Sequence, residues 1–336
     1  MAYGKTIAVP NGVSPSMICA GDTLNHWKSD TCKGDSGGPI QIHHNFNDSS
    51  LLFDIVGITS FGRSCATETI PVINQWYNLS SDDKWYNDKD IGMFNKKLLH
   101  EIRKNWILDT TKNSNNYSGL EDPESEDPSM GQSQIIKQYF DHKKGGFFIE
   151  CGAYDGETRS NTLYLERFLG WTGLLIEADP MNFKKIIEKK RRAFLSPTCL
   201  SIEPYPMIVS FLMAKNIGRI HEPNDLSSEI QNTNDVAHNG KHIDVQCFPL
   251  ASYIAALNVT TVDYFSLDVE GNEMDVLRTI PFDKVDIKTL SVEYTHVESG
   301  KEKMVEFMAK NGYYVYSFVK KPNNLANDII FVKRYL

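Results

Sequence analysis

From Phe147 to Lys333 short apolar runs alternate with segments of helical period, and this alternation restricts the fold more than any other feature of the chain. Strands are predicted at 147–151, 173–177, 193–200, 207–213, 262–268, 287–294, 313–319 and 328–333. Helices are predicted at 161–168, 181–191, 250–257, 273–279 and 301–311, and the polar run 218–241 reads as a long loop. Strands separated by helices cannot pair as hairpins, so the pattern predicts a mainly parallel sheet with helices on both faces. The fold class expected is α/β, Rossmann-like, and no internal repeat is visible.

The first part of the chain reads differently. Residues 1–75 are loops and short strands, of which LFDIVGIT (52–59) is the clearest. A helix is predicted over 94–108, where Leu98, Leu99, Ile102 and Trp106 recur at helical spacing. The stretch from Ser114 to Gln132, SNNYSGLEDPESEDPSMGQ, has too little apolar surface to repay the entropy of ordering. The organisation expected is therefore a unit at 1–75, a linker with one helix at 76–126, and a domain at 127–336. A length of 336 residues suits two units.

A net charge of −8 gives nucleic acid no basic surface, which argues against it as a partner. No apolar run approaches the ~18 residues of a membrane helix. The N-terminal MAYGKTIAVPNG lacks the apolar stretch of a signal peptide. The cysteines are Cys19, Cys32, Cys65, Cys151, Cys199 and Cys247, with no CxxC pair, so no metal site is expected. Asn47, Asn78, Asn116 and Asn258 each open an N-x-Ser/Thr sequon, which weakly favours a secretory compartment.

Residues 29–39 read SDTCKGDSGGP, with MICAG at 17–21 and IVGITSFGRSC at 55–65. This region resembles the C-terminal barrel of the trypsin-like serine proteases, particularly the clip-domain type, and implies a partial all-β barrel fragment. Carried over by position, Ser36 is the nucleophile, the backbone N–H groups of Gly34 and Ser36 form the oxyanion hole, and Asp30 lies at the base of the specificity pocket. The resemblance also implies a disulfide between Cys32 and Cys65. In that family the base His and its orienting Asp come from a first barrel, and no segment here corresponds to it. His43 and His44 match no catalytic position and are expected on an exposed loop. A serine hydroxyl without a base is a poor nucleophile, so Ser36 is expected to be inactive.

The second part carries DPSMGQSQ (127–134), GGFFIECGAYDGETRSNTLYLER (145–167), WTGLLIEADP (171–180), DYFSLDVEGNEMDVLRTIPFDKVDIKTLSVEY (263–294) and DIIFV (328–332). In this order they resemble the FkbM-type methyltransferase domain and, within that group, the Star-like animal proteins. Read from the residues, ECGAYDG lies where a strand gives way to a helix, and Gly152 and Gly156 permit a tight turn against a ligand. Glu177 ends the next strand about twenty residues on, where a carboxylate accepts from ribose hydroxyls. Glu150, Gly152, Asp155, Gly156 and Glu177 are the candidate contacts for S-adenosylmethionine or a related nucleotide. The alternative is a glycine turn beside a solvated Glu177.

Asp268 and Glu270 follow another strand, at the edge where ligands bind in open α/β sheets, and are the candidate catalytic pair. Asp268 suits orientation of a substrate or metal; Glu270 suits a general base, or equally a cap for the following helix. Their spacing puts them on opposite faces if the strand continues, so they are not expected to share a metal. Glu293 and His296 end the next strand and are expected at the same cleft or, for His296, at the surface. Phe307 and Met308 read as core, and the charge run from Lys184 to Arg192 as an exposed helix face.

Three functions follow. The Star-like resemblance implies secretory-pathway trafficking (endoplasmic reticulum, Golgi, endosome) of a membrane-bound growth-factor precursor, with a secretory cargo protein as partner and a membrane anchor that no residue here supplies. The fold resemblance implies an S-adenosylmethionine-dependent O-methyltransferase, with a small-molecule methyl donor. The GDSGGP string taken alone implies a serine endopeptidase.

Overall fold

The computed structural model describes the backbone of 39–44 and 52–58, and then residues 85–113, 117–221, 241–322 and 326–334. The chain divides into two units between Gln75 and Trp76, and each is described by itself.

In the first unit β1 (Pro39–His44) and β2 (Leu52–Ile58) pair antiparallel, from Pro39 opposite Ile58 to His44 opposite Leu52. His43 and His44 therefore lie on a strand, where a loop was expected. Asp30, Cys32, Gly34, Ser36 and Cys65 lie outside the described residues.

The second unit begins with the stretch expected as a linker with one helix, and its described part packs on the domain through that helix. Helix α1 (Lys96–Glu101) starts at Asn95, whose side chain accepts the N–H groups of Lys97 and Leu98, as good N-caps do. A π-helical turn (Ile102–Trp106) continues it. Leu98, Ile102 and Trp106 are buried, so the apolar stripe has found a core. β3 (Leu108–Asp109) then pairs antiparallel with β6 (Phe194–Ser196) at the sheet edge. Further on, the N–H groups of Glu121 and Asp122 donate to the Glu157 carboxylate, so the acidic segment is tied down by its backbone. Composition underrated this stretch because its anchors are polar.

The domain itself runs α2 (Gln132–Tyr139), β4 (Phe147–Cys151), α3 (Leu163–Leu169), β5 (Thr172–Ile176), α4 (Pro180–Lys189) and β6. After a second sheet come α5 (Leu250–Ala256), β11 (Thr261–Leu267), α6 (Glu273–Thr279), β12 (Asp286–Glu293), α7 (Gly300–Lys310), β13 (Tyr313–Lys320) and β14 (Asn327–Lys333). The eight-stranded sheet has the order β13-β14-β12-β11-β4-β5-β6-β3. Its five central strands are parallel and its outer strands antiparallel. Phe148, Ile149, Leu174, Leu175, Phe265 and Leu290 are each at most 0% exposed, the mark of strands covered on both faces. Strand order reverses between β4 and β11, which opens a crevice at their C-terminal ends.

Two features depart from expectation. β7 (Cys199–Leu200), β8 (Met207–Met213), β9 (Arg219–Ile220) and β10 (Lys241–Phe248) form a separate sheet, order β7-β10-β8-β9, around Val209, Phe211, Val245 and Cys247. Cys199 and Cys247 are directly opposed on parallel strands and disulfide-bonded, Cα–Cα 4.4 Å. The charge run 184–192 is only partly an exposed face. Lys189 is buried against Glu157 (2.6 Å) and Glu121 (2.8 Å), and Arg191 is fully buried against Glu166 (2.9 Å). Met308 is core as expected, whereas Phe307 is half-buried.

Candidate functional site

β4 ends at Cys151, and the chain turns sharply at Gly152, whose φ is +82°. The N–H groups of Gly152 and Ala153 both donate to the Ile176 carbonyl, each at 3.2 Å, which holds the loop against the end of β5. A Cβ at Gly152 would stand 1.8 Å from the Asp268 carbonyl oxygen, so only glycine lets the β4 and β11 ends approach. Gly156, φ +80°, closes the loop against Ile186 of α4.

Beside Gly152 lies a narrow cleft of about 60 Å³, smaller as it stands than occupied small-molecule sites (~300–1,000 Å³). One wall is Cys151, Gly152, Tyr154 and Glu177; the second sheet contributes Cys199, Phe211 and Ile220, and the 3-10 turn after β8 contributes Lys215; Asp268, Glu270 and Asn272 close it. Gly152, Glu177, Asp268 and Glu270 thus line one cleft.

Glu177 is buried, with Oε2 accepting from the Tyr154 N–H at 2.7 Å and Oε1 from the Asp179 N–H at 2.8 Å. Burial pushes its pKa up to about 8, although those amides pull it down. Glu177 is not the solvated side chain of the alternative reading; it couples the loop after β4 to the cap of α4, where Asp179 accepts from Met181 and Asn182.

Glu150, Asp155 and Gly156 do not line the cleft, which corrects their assignment as cofactor contacts. Glu150 accepts from the Ser160 hydroxyl (2.9 Å), the Asn161 N–H (2.8 Å) and the Thr162 hydroxyl. Asp155 accepts from the N–H groups of Glu157 and Thr158. A buried carboxylate needs such donors, and loop amides are the nearest supply. Arg191 completes the brace, donating to the Gly156 carbonyl, to Ser160 and Thr162, and to Glu166. These residues hold the loop's shape.

At the β11 end the strand stops at Leu267, and Glu270 adopts a left-handed φ of +58°. The opposite-face argument for Asp268 and Glu270 therefore does not apply. Glu270 does not cap α6; Glu273 accepts the N–H groups of Val269 and Gly271 instead. His296 Nδ1 stands 2.8 Å from Glu270 Oε2, without hydrogen-bond alignment, and 3.7 Å from Glu293. His296 is mostly buried rather than a surface histidine. Burial alone would lower its pKa, but the carboxylates of Glu270, Glu293 and Glu273 outweigh it and raise it. Burial and the neighbouring carboxylates, Glu270 foremost, hold Asp268 well above the usual carboxylate range.

The sequence pattern points to no metal site, yet among the described residues Asp268, Glu273 and Glu293 bring one ligand oxygen each within 4.8 Å of one another. Cys151 lines the cleft as a free buried thiol, its pKa raised by burial. Phe211 was invisible as a cleft residue because the sheet that carries it is set by non-local pairing.

Residues 150–315 match the methyltransferase FkbM domain family. The downstream unit carries an FkbM methyltransferase domain. Residues 2–80 match the trypsin family. Within that part the chain is 44% identical over 59 residues to urokinase-type plasminogen activator of Gallus gallus, 18% of this chain and 12% of the relative. It is 41% identical over 69 residues to serine protease snk of Drosophila melanogaster, 20% of this chain and 15% of the relative. The chain thus spans a small fraction of these curated proteases. The FkbM domain is similar to the crystal structure of methyltransferase FkbM from Methylobacillus flagellatus KT, at 12% identity and TM-score 0.35, covering 79% of this chain and 58% of that one. Strand order, rather than so distant a likeness, defines the fold of the FkbM domain here. Among the described residues no helix is long and apolar enough to cross a membrane.

Proposed function

We propose that the FkbM domain holds S-adenosylmethionine in the cleft between the ends of β4, β5 and β11, and transfers its methyl group to a hydroxyl acceptor. The single observation that carries this is the turn at Gly152, whose positive φ and close approach to the Asp268 carbonyl bring the ends of β4 and β11 together beside the crevice at the switch point. Gly152, Tyr154 and Glu177 would hold the nucleoside, and the apolar wall of Ile176 and Phe211 would exclude water. When bound, the cofactor supplies an electrophilic methyl group. Asp268 orients the acceptor, and Glu270, backed by His296 at 2.8 Å, takes the acceptor's proton. Titration calorimetry with S-adenosylmethionine tests the reading; Glu177→Ala should weaken binding at least ~10-fold.

We further propose that the protein works in an oxidising, secretory compartment, because Cys199–Cys247 is positioned as a disulfide and such bonds persist there. That compartment also favours a second reading, the Star-like one, in which the domain escorts a growth-factor precursor and the cleft is retained for a ligand without turnover. Saturable cofactor binding with no methyl transfer to lumenal acceptors, and capture of a membrane-bound precursor, would favour the escort. Ser36 is proposed to be inert, since no His and Asp of these 336 residues match a base pair for it.

A further inference from the structure

Among the described residues the carboxylates behind the cleft outnumber the cations that act on them. Asp268 follows the last residue of β11, Glu273 opens α6, and Glu293 closes β12. β11 and β12 are parallel neighbours with Leu267 opposite Val292, so Asp268 and Glu293 stand one residue beyond a registered pair. The three side chains offer oxygens within 4.8 Å of one another. Oxygens around a magnesium-type ion at ~2.1 Å or a calcium-type ion at ~2.4 Å lie at such separations.

A separate observation points to a missing ligand. Asp268 Oδ1 has under 1 Å² of exposed surface and no hydrogen-bond partner. A buried anionic oxygen left unpartnered costs ~1–3 kcal/mol or more, so such atoms call for an explanation. The other two carboxylates are already oriented: Glu273 by the N–H groups of Val269 and Gly271, Glu293 by those of Thr295 and His296. Backbone donors of this kind fix ligand geometry while leaving lone pairs for an ion. Facing the group are also Glu270 and Asp328, the latter held by Gln132 at 2.8 Å; among the described residues His296 acts on them from the cationic side, Arg219 acts on Glu270, and Lys215 lines the same cleft.

We infer that Asp268, Glu273 and Glu293 form a binding site for a hard divalent cation, of the magnesium or calcium type, at the inner end of the cleft. Because Asp268 also lines the cleft, the ion enters by the same path as the small-molecule ligands and stands where it can bind an acceptor oxygen. Asp268 then positions the acceptor through the ion. The rival arrangement neutralises the same carboxylates with protons.

The test is titration of the full-length protein, without S-adenosylmethionine, by Mg²⁺ and separately by Ca²⁺. Saturable binding of one ion is expected. Asp268→Asn and Glu293→Gln should each lose ~10-fold or more in ion affinity, while Glu306→Gln, on the surface, should not. No binding of either ion at ~10 mM to protein with a cooperative melting transition would overturn the site. So would unchanged affinity in Asp268→Asn. Since no cofactor is present, failure here is distinguishable from failure of the S-adenosylmethionine reading.

Discussion

Gly152 and Asp268 meet backbone to backbone: a Cβ on the glycine would lie 1.8 Å from the aspartate's carbonyl oxygen. The turn after β4 and the end of β11 are therefore one mechanical unit. Gly152→Ala should lower the melting temperature, since a left-handed φ costs a non-glycine residue ~1–2 kcal/mol and the clash adds to it. The same variant should lose S-adenosylmethionine binding. Thermal melts with calorimetry check both; an unchanged melt would show that the two ends do not approach.

Arg191 is fully buried and serves Glu166, Gly156, Ser160 and Thr162 at once. Removing one member of a buried pair strands the other charge. Arg191→Ala should cost ~3–5 kcal/mol in denaturant unfolding. Arg191→Lys should recover little, because an ammonium cannot reproduce the planar fork.

Glu177 supplies the pH dependence. Its folded pKa is about 8 against an ordinary 4.5, so between those values the folded state binds more protons than the unfolded chain. Its contribution to stability is therefore present at low pH and falls as pH rises from about 4.5 to about 8. Glu177→Gln, which stays neutral, should flatten this part of the stability profile relative to the parent; unfolding curves at several pH values measure it.

Much of this domain was legible beforehand, for a physical reason. Central strands buried on both faces are apolar runs, and ligand-binding edges carry glycine and acids at strand ends, so β4, β5, β11, Gly152, Glu177, Asp268 and Glu270 all left local signals. What was not legible depends on distant partners. β3 is two residues long and exists because Leu108 pairs with Leu195. β10 follows a polar run and is specified by β8 across the second sheet. Glu150 and Asp155 sit in the motif yet turn inward, because a loop with buried amides needs acceptors. The grouping of Glu273 with Glu293 appears only once β11 and β12 are in register.

The Cys199–Cys247 bridge closes a sequence separation of 48 residues. Reduction, or the Cys199→Ser/Cys247→Ser double variant, should cost ~2–4 kcal/mol in guanidinium unfolding. Because Cys199 lines the cleft, reduction should also weaken ligand binding there.

Ser36 is expected to remain unlabelled by a fluorophosphonate probe, as a serine hydroxyl needs a base to become a nucleophile. Labelling at the rate of an active trypsin-like enzyme would reverse that part of the proposed function.

The most direct measurement is calorimetric titration of the full-length protein with S-adenosylmethionine, backed by competition with S-adenosylhomocysteine. One saturable site of micromolar affinity, weakened in Glu177→Ala and lost in Gly152→Ala, is the result expected of a cofactor cleft at the β4–β11 switch point. No heat at millimolar ligand, from protein that melts cooperatively, would contradict it.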